Sequence, residues 1–335
     1  MKKLAIALLV LFGSSLADAA VLKIATVAPE GSEWMQAMRD GAAVIKERTE
    51  GRVQLKYYGG GVMGNDTKVL GKIRINALQG GAFTPSALQQ IYPEISLFSL
   101  PLTFESVEEA NYVRSKLDAR LKNGLEEKGF VSFGFSATGF ALIMSNDPVR
   151  SLDDMRGKRV WVPEGDKISY ASMEALSLSP VTLPLTDVLT GLQTGLIDIV
   201  AMSPIGALVL QWHTKVNYVT DMPLVYTFGF MAIDKRAFRK ISAADQAIVA
   251  EVMTGIYSKF NTKNLVDNDE AMQALINSGI EAVSVDATEI DGIRDVLQQS
   301  NRDLAVQGEY SVELYDEMMR YVEEYRNGEA TAAGR

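Results

Sequence analysis

The chain has 335 residues, no cysteine, one histidine and a formal net charge of −9. Without cysteine there is no disulfide framework and no Cys-His nucleophile, and one histidine cannot build a histidine-based zinc site. A surface this acidic lacks the basic footprint that nucleic acid and anionic headgroups require.

The opening residues MKKLAIALLVLFGSSLADAA read as a cleavable export signal. Lys2 and Lys3 form its basic region, Leu4 to Phe12 an apolar run too short to span a bilayer, and Ala17 and Ala19 the small residues a signal peptidase needs. Cleavage is expected after Ala19, placing the protein in the periplasm of a Gram-negative bacterium. Losing residues 1–19 removes two lysines and one aspartate, which leaves a charge of −10. No later stretch approaches the ~20 apolar residues of a spanning helix. The remaining length suits two domains.

VLKIATVAPEG (21–31) alternates as a strand and stops at Pro29. Residues 32–51 follow as an amphipathic helix with Ser32 as N-cap and Gly51 at its close. VQLKYYGG (53–60) is a second strand, 67–79 a helix, and GGAFTPSAL (80–88) a short buried strand broken at Pro85. This β-α-β-α-β order opens a doubly wound α/β domain. YYGGGVMGND (57–66) lacks the Lys-Ser/Thr of a phosphate loop, so its glycines read as a tight turn.

A second set begins with strand 133–145, which contains Gly139, and the helical turn SLDDMRG (151–157). In GKRVWVPEG (157–165) the β-formers Val160, Trp161 and Val162 run into Pro163. Alternation puts Arg159 and Trp161 on one face, with Trp161 nearest the strand's end. Helices are expected at 166–176, at 185–198 from a capping start at Thr186, and at 205–216, with a strand at 199–204 between the last two. Strand 226–234 leads away from this set. Residues 242–279 read as one helix capped by Ser242, roughly 55 Å long and so able to cross two domains. Residues 287–326 are amphipathic helix, and the small polar tail 327–335 reads as disordered.

Several local motifs together resemble the periplasmic solute-binding proteins (P subunits) of tripartite ATP-independent periplasmic (TRAP) transporters. They are ATVAPEGS (25–32), KERTEGRVQLKYYGGGVMGND (46–66), PEISLFSLPLTF (93–104), SLDDMRGKRVWVP (151–163) and LPLTDVLTGLQTGLID (183–198). The resemblance covers nearly the whole exported chain. It implies a two-lobed α/β periplasmic binding protein with crossing strands and a long lobe-spanning hinge helix. Lobe I would comprise 20–138 plus 227–260, and lobe II 139–226 plus 261–312. A C-terminal helix and tail would fill 313–335.

Most members of that family bind small organic acids, gripping the carboxylate with an arginine at the end of a Gly-Lys-x-x-Arg-x-Pro strand. Here Trp161 stands in the clamp position. The departure recurs around the implied cleft. Thr138-Gly139-Phe140-Ala141 replaces a second arginine, Thr84 beside Phe83 replaces an acid, Met202 before Ser203 replaces an asparagine, and Val27 replaces another. Asp66 alone stays polar, and it also reads as a helix cap. Trp34 and Phe140 border cleft loops, Glu164 follows the clamp strand, and Arg159 is one pleat behind Trp161. Phe228 and Phe230 read as hinge or core, and His213 as a packing residue.

The expected function is therefore capture of an apolar or amphipathic small molecule for delivery to TRAP membrane subunits. No enzymatic activity, cofactor, metal or nucleic-acid partner is expected. The pattern looks like the TRAP branch that works with a periplasmic tetratricopeptide-repeat lipoprotein. Two other readings stand beside it: a small organic-acid binder using Arg159, and a periplasmic ligand sensor with no transport role.

Overall fold

The computed structural model describes residues 19–333, so the export-signal reading falls largely on residues outside the described range. The first set of elements follows the expected order: β1 (Ala20–Ala25), α1 (Glu33–Arg48), β2 (Val53–Tyr58), α2 (Asp66–Arg74) and β3 (Gly80–Phe83). Strand β1 pairs in parallel with β2 on one side and β3 on the other. Ser32 caps α1, its Oγ accepting from Met35 N at 3.3 Å. Asn65, rather than Asp66, caps α2, its Oδ1 accepting from Lys68 N at 3.1 Å. The glycines between β2 and α2 make the turn: Gly60, Gly61 and Gly64 all have φ between 61° and 98°, a region closed to most side chains.

The chain continues through α3 (Pro85–Leu88), a 3₁₀ segment Pro93–Ser99, α4 (Val107–Glu127) and β4 (Phe130–Ser132) to β5 (Ser136–Ser145). The second set is α5 (Leu152–Met155), β6 (Arg159–Pro163), α6 (Lys167–Ala175), β7 (Ser179–Leu183), α7 (Val188–Gln193), β8 (Ile199–Met202) and α8 (Pro204–Val209). Then come β9 (Tyr218–Asp234), α9 (Lys235–Phe238), α10 (Ala243–Asn277), β10 (Glu281–Ser284), α11 (Ala287–Val306) and α12 (Val312–Ala333). The main strand order is β2-β1-β3-β9-β5-β8-β6-β7, with β4 and β10 also on β9.

Strand β9 is 17 residues long, and it belongs to both halves of this sheet. Its first half pairs with β10 and with the end of β5, from Tyr218↔Ser145 to Val225↔Ala141. Its second half pairs with β3 and β4, from Phe230↔Phe83 to Asp234↔Phe130. Helix α10, 35 residues long, makes the same passage. Val249, Met253, Tyr257 and Phe260 enter the core beneath β1 and β2, while Leu275 packs beside Trp161 and Trp212 at the other end. At ~3.3 Å and ~1.5 Å per residue, strand and helix each span about 50–55 Å. The two lobes therefore share β9 and α10, strand and helix of matching length.

Where β5 crosses, α10 is stitched to it by asparagines. Asn261 Oδ1 accepts from Ala137 N at 2.9 Å. Asn264 Nδ2 donates to Ser136 Oγ at 3.2 Å and to the Ala137 carbonyl. Asn268 Nδ2 donates to the Thr138 carbonyl at 2.7 Å. These bonds satisfy backbone groups that the register shift between Ala137 and Gly139 takes out of the ladder. Below them the buried Arg114 donates to the Phe135 carbonyl at 2.7 Å and Tyr226 Oη at 3.0 Å, with Asp118 as its counter-ion at 3.0 Å.

Several expected elements differ. Residues 185–198 form a 3₁₀ turn (Leu185–Asp187) before a short α7, and Thr186 Oγ1 bonds to the Asp187 carboxylate instead of capping. Residues 205–216 are not one helix, because Gln211 takes φ +61° and a 3₁₀ turn (Trp212–Lys215) follows. Gly308, at φ +84°, splits 287–326 into α11 and α12. The tail is helical through Ala333, with Arg326 Nε bonded to buried Glu109 at 2.6 Å, so its alanines extend a helix already docked on α4.

The two crossing glycines are not equivalent. Gly139 has φ +84°, and a Cβ there would lie 2.7 Å from Asn268 Nδ2. Gly229 has an ordinary φ, and its nearest obstacle is the Phe83 carbonyl at 3.6 Å. Gly139→Ala should therefore cost about 1–3 kcal/mol, whereas Gly229→Ala should change stability by less than about 1 kcal/mol. Thermal or urea unfolding of the two variants separates them, and equal losses would contradict this account.

Candidate functional site

The carboxyl ends of β1, β3, β6 and β8 open onto a cleft of about 290 Å³. Open α/β sheets place their ligands at this position. The first lobe contributes Val27 after β1, Asn65 and Asp66 at the start of α2, Thr84 to Ser86 after β3, and Ser96 and Ser99 from the 3₁₀ segment. The second contributes the Val160–Glu164 stretch, Asp166, Ile168 and Met173 around α6, and Ile199–Ser203. Thr138, Ala141 and Phe228 of the crossing strands form the floor. The lobes touch across this opening: Asn65 Nδ2 donates to Glu164 Oε2 at 3.0 Å, Thr67 Oγ1 to the same oxygen at 3.4 Å, and Lys167 N to Gln89 Oε1 at 3.1 Å.

Seven of the expected site residues lie on this lining: Trp161, Thr84, Ala141, Met202, Ser203, Val27 and Glu164. Trp161 is only 7% exposed. Its Nε1 donates to the Leu183 carbonyl at 3.0 Å, and its ring stands edge-on to Trp212 at 5.1 Å. The ring is thus fixed on one side by packing and a hydrogen bond, and presents its remaining surface to the cleft.

Four expected residues lie elsewhere. The Phe83 ring folds back over Gly81, where a Cβ would meet it at 2.5 Å, and joins the first lobe's core. Phe140 alternates with Ala141 and packs edge-on against Tyr226 at 5.8 Å. Trp34 packs on Tyr57 at 6.4 Å. Arg159 forms a two-pronged pair with Asp198, Nε to Oδ2 at 2.8 Å and Nη2 to Oδ1 at 2.7 Å. That pair sits at the start of β6, at the opposite end from the cleft, and the guanidinium holds the Asp198 carboxyl below its ordinary range. His213 also stays outside, its Nδ1 lying 3.1 Å from the Ala207 carbonyl.

Sequence reasoning did not pick out Ser96, Ser99, Ile168 or Met173. The serines interrupt the apolar run ISLFSL, and that interruption is the only hint the sequence offers. Among the described residues the lining contains no lysine, arginine or histidine, and its charged residues are Asp66, Glu164 and Asp166. Burial and the neighbouring Glu164 push Asp66 up to about 6. Burial also raises Asp166, against hydrogen bonds from Ser169 N and Oγ. The cleft thus disfavours negative charge on its own acids. Among the described residues no cluster of histidine, cysteine or carboxylate side chains is arranged to hold a metal ion.

Because the folded Asp66 pKa lies above its unfolded value of 3.8, protonation favours the folded state. That contribution is complete below the unfolded value and is lost as pH rises through about 6. Asp66→Asn should therefore stabilise the protein at pH 7.5, by at most about 3 kcal/mol, and leave it nearly unchanged at pH 4. Melting curves at both pH values check this, and destabilisation confined to pH 7.5 would contradict it.

Known proteins share this architecture. The family profile of DctP, described as bacterial extracellular solute-binding protein, family 7, matches residues 24–307. The C4-dicarboxylate-binding periplasmic protein DctP of Rhodobacter capsulatus is 25% identical over 280 residues, 79% of this chain and 80% of that protein. Matches to the first curated relatives span 48%, 62% and 53% of their lengths, so the chain spans about half the length of those proteins. A TRAP periplasmic solute-binding protein of Desulfovibrio salexigens with bound orotic acid superposes with TM-score 0.82 at 18% identity, covering 90% of this chain and 99% of that one. One from Pseudomonas putida F1 with bound D-glucuronate also gives 0.82, at 19% identity and 90% and 96% coverage. The chain therefore belongs to the bacterial extracellular solute-binding protein family 7, the DctP family, and has the two-lobed TRAP binding-protein fold.

Proposed function

We propose that the protein is the periplasmic binding component of a TRAP transporter, capturing an apolar or amphipathic small molecule between its lobes. It would hand that ligand to the membrane subunits, with a periplasmic tetratricopeptide-repeat lipoprotein as a further partner. The lobe division is proposed as read from the sequence, near residues 138, 226 and 260. Neither a catalytic role nor a cofactor is proposed. A periplasmic location fits the family and the absence, among the described residues, of any helix long and apolar enough to cross a membrane.

The observation that carries the apolar reading is the cation-free lining with Trp161 at its wall. Relatives named for C4-dicarboxylates, and neighbours holding orotic acid or D-glucuronate, bind acids. A carboxylate buried here would find no arginine to pair with, and an unpaired buried anion is costly. Arg159 is already held by Asp198, which weakens the acid-binder alternative. Apolar surface, by contrast, gains about 25 cal/mol per Å² on leaving water.

N-phenyl-1-naphthylamine, an uncharged fluorophore that brightens in apolar surroundings, tests this directly. It should bind saturably and not be displaced by succinate or D-glucuronate. Trp161→Ala should weaken it by roughly 1–3 kcal/mol, Trp161→Arg by more, and Arg159→Ala by less than about 0.5 kcal/mol. Tight binding of succinate or D-glucuronate that Arg159→Ala abolishes would instead establish the acid binder.

A further inference from the structure

If the cleft takes an apolar body, as proposed above, its polar lining decides what head group that body carries. The three lining carboxylates differ in how they are engaged. Glu164 accepts from Asn65 and Thr67, and Asp166 accepts from Ser169. Asp66 has no hydrogen-bond partner for its carboxylate among the described residues. It lies partly buried on the first lobe, close enough to Glu164 of the second for their charges to repel. A second polar side chain is also unpaired among the described residues: Ser96, 3% exposed and on the lining, has a buried hydroxyl with no partner there.

An acceptor-only head, such as a carboxylate, would add a like charge to this set. A protonated nitrogen does the opposite, because it donates to Asp66 and screens Asp66 from Glu164. The bond is charge-assisted and lies in surroundings where charges are poorly screened by water. We propose that the ligand is an amphiphilic amine, its apolar body against Trp161 and its ammonium at Asp66. The two carboxylates come from opposite lobes, so one cation between them also draws the lobes together.

A matched set with one body and three heads tests the proposal: phenylpropylamine, phenylpropanol and phenylpropanoate, titrated calorimetrically into the signal-free chain at pH 7.5. The amine should bind at least about tenfold more tightly than the alcohol, and the carboxylate should not bind saturably. In Asp66→Asn, with folding verified by its melting curve, the amine should fall to the alcohol's affinity. Equal affinities for amine and alcohol in the wild type, or an amine preference that survives Asp66→Asn, would overturn the amine head and leave the apolar cleft standing. Tightest binding of the carboxylate, or saturable binding of none of the three, would overturn both.

Discussion

The pairing of β5 with β9 is the constraint from which the rest of the molecule follows. Every other strand joins the sheet through one of these two, directly or through a neighbour, and both pass from lobe to lobe. Their crossing is held at the side-chain level by Thr138 and Thr227, whose hydroxyls lie 2.7 Å apart, and from behind by the asparagines of α10. Each such bond contributes on the order of 1 kcal/mol, but leaving one of those buried carbonyls unpaired would cost more. The crossing is therefore a polar joint inside an otherwise apolar interior. Because the strands of each lobe end toward it, the cleft opens just above.

That joint also explains why the cleft floor is apolar. The asparagines that fix the crossing lie on the α10 face, while Ala141 and Phe228 look the other way, beside the mutually bonded hydroxyls of Thr138 and Thr227. Trp161 continues the apolar surface up the second lobe, where Leu183 and Trp212 hold its ring. Polar character returns at Asp66, Glu164, Asp166 and a few hydroxyls, all acceptors or neutral donors. The cleft thus combines hydrophobic surface with a negative potential, the reverse of what a carboxylate requires.

Much of this was legible in the residues. The β6 strand declared itself through Val160, Trp161 and Val162 between Gly157 and Pro163, and α10 through its length and its Ser242 cap. The place of Trp161 on the cleft came from the family's motif and not from its being aromatic. What stayed hidden depends on partners far away in sequence. Arg159 meets Asp198 39 residues later, and no local pattern announces that pair. Phe83 and Ala82 alternate as any strand residues do, and the bare backbone of Gly81 leaves the room in which the phenyl ring folds back into the core. The first half of β9 was missed because Asp221 and Pro223 are poor strand residues, although its burial alternates through them and β5 and β10 flank it. The tail looked disordered by composition, yet through Ala333 it continues a helix whose earlier turns, at Leu314, Met318 and Val322, are packed in the first lobe's core and whose Arg326 bonds to Glu109 of α4.

The central claim is that the cleft is built for an apolar body and against a carboxylate. Native mass spectrometry of the protein purified gently from the periplasm, with extraction and identification of whatever it retains, bears on it most directly. The account predicts a stoichiometric small molecule that partitions into organic solvent and carries no carboxylate. A retained dicarboxylate or sugar acid at one per chain would contradict it.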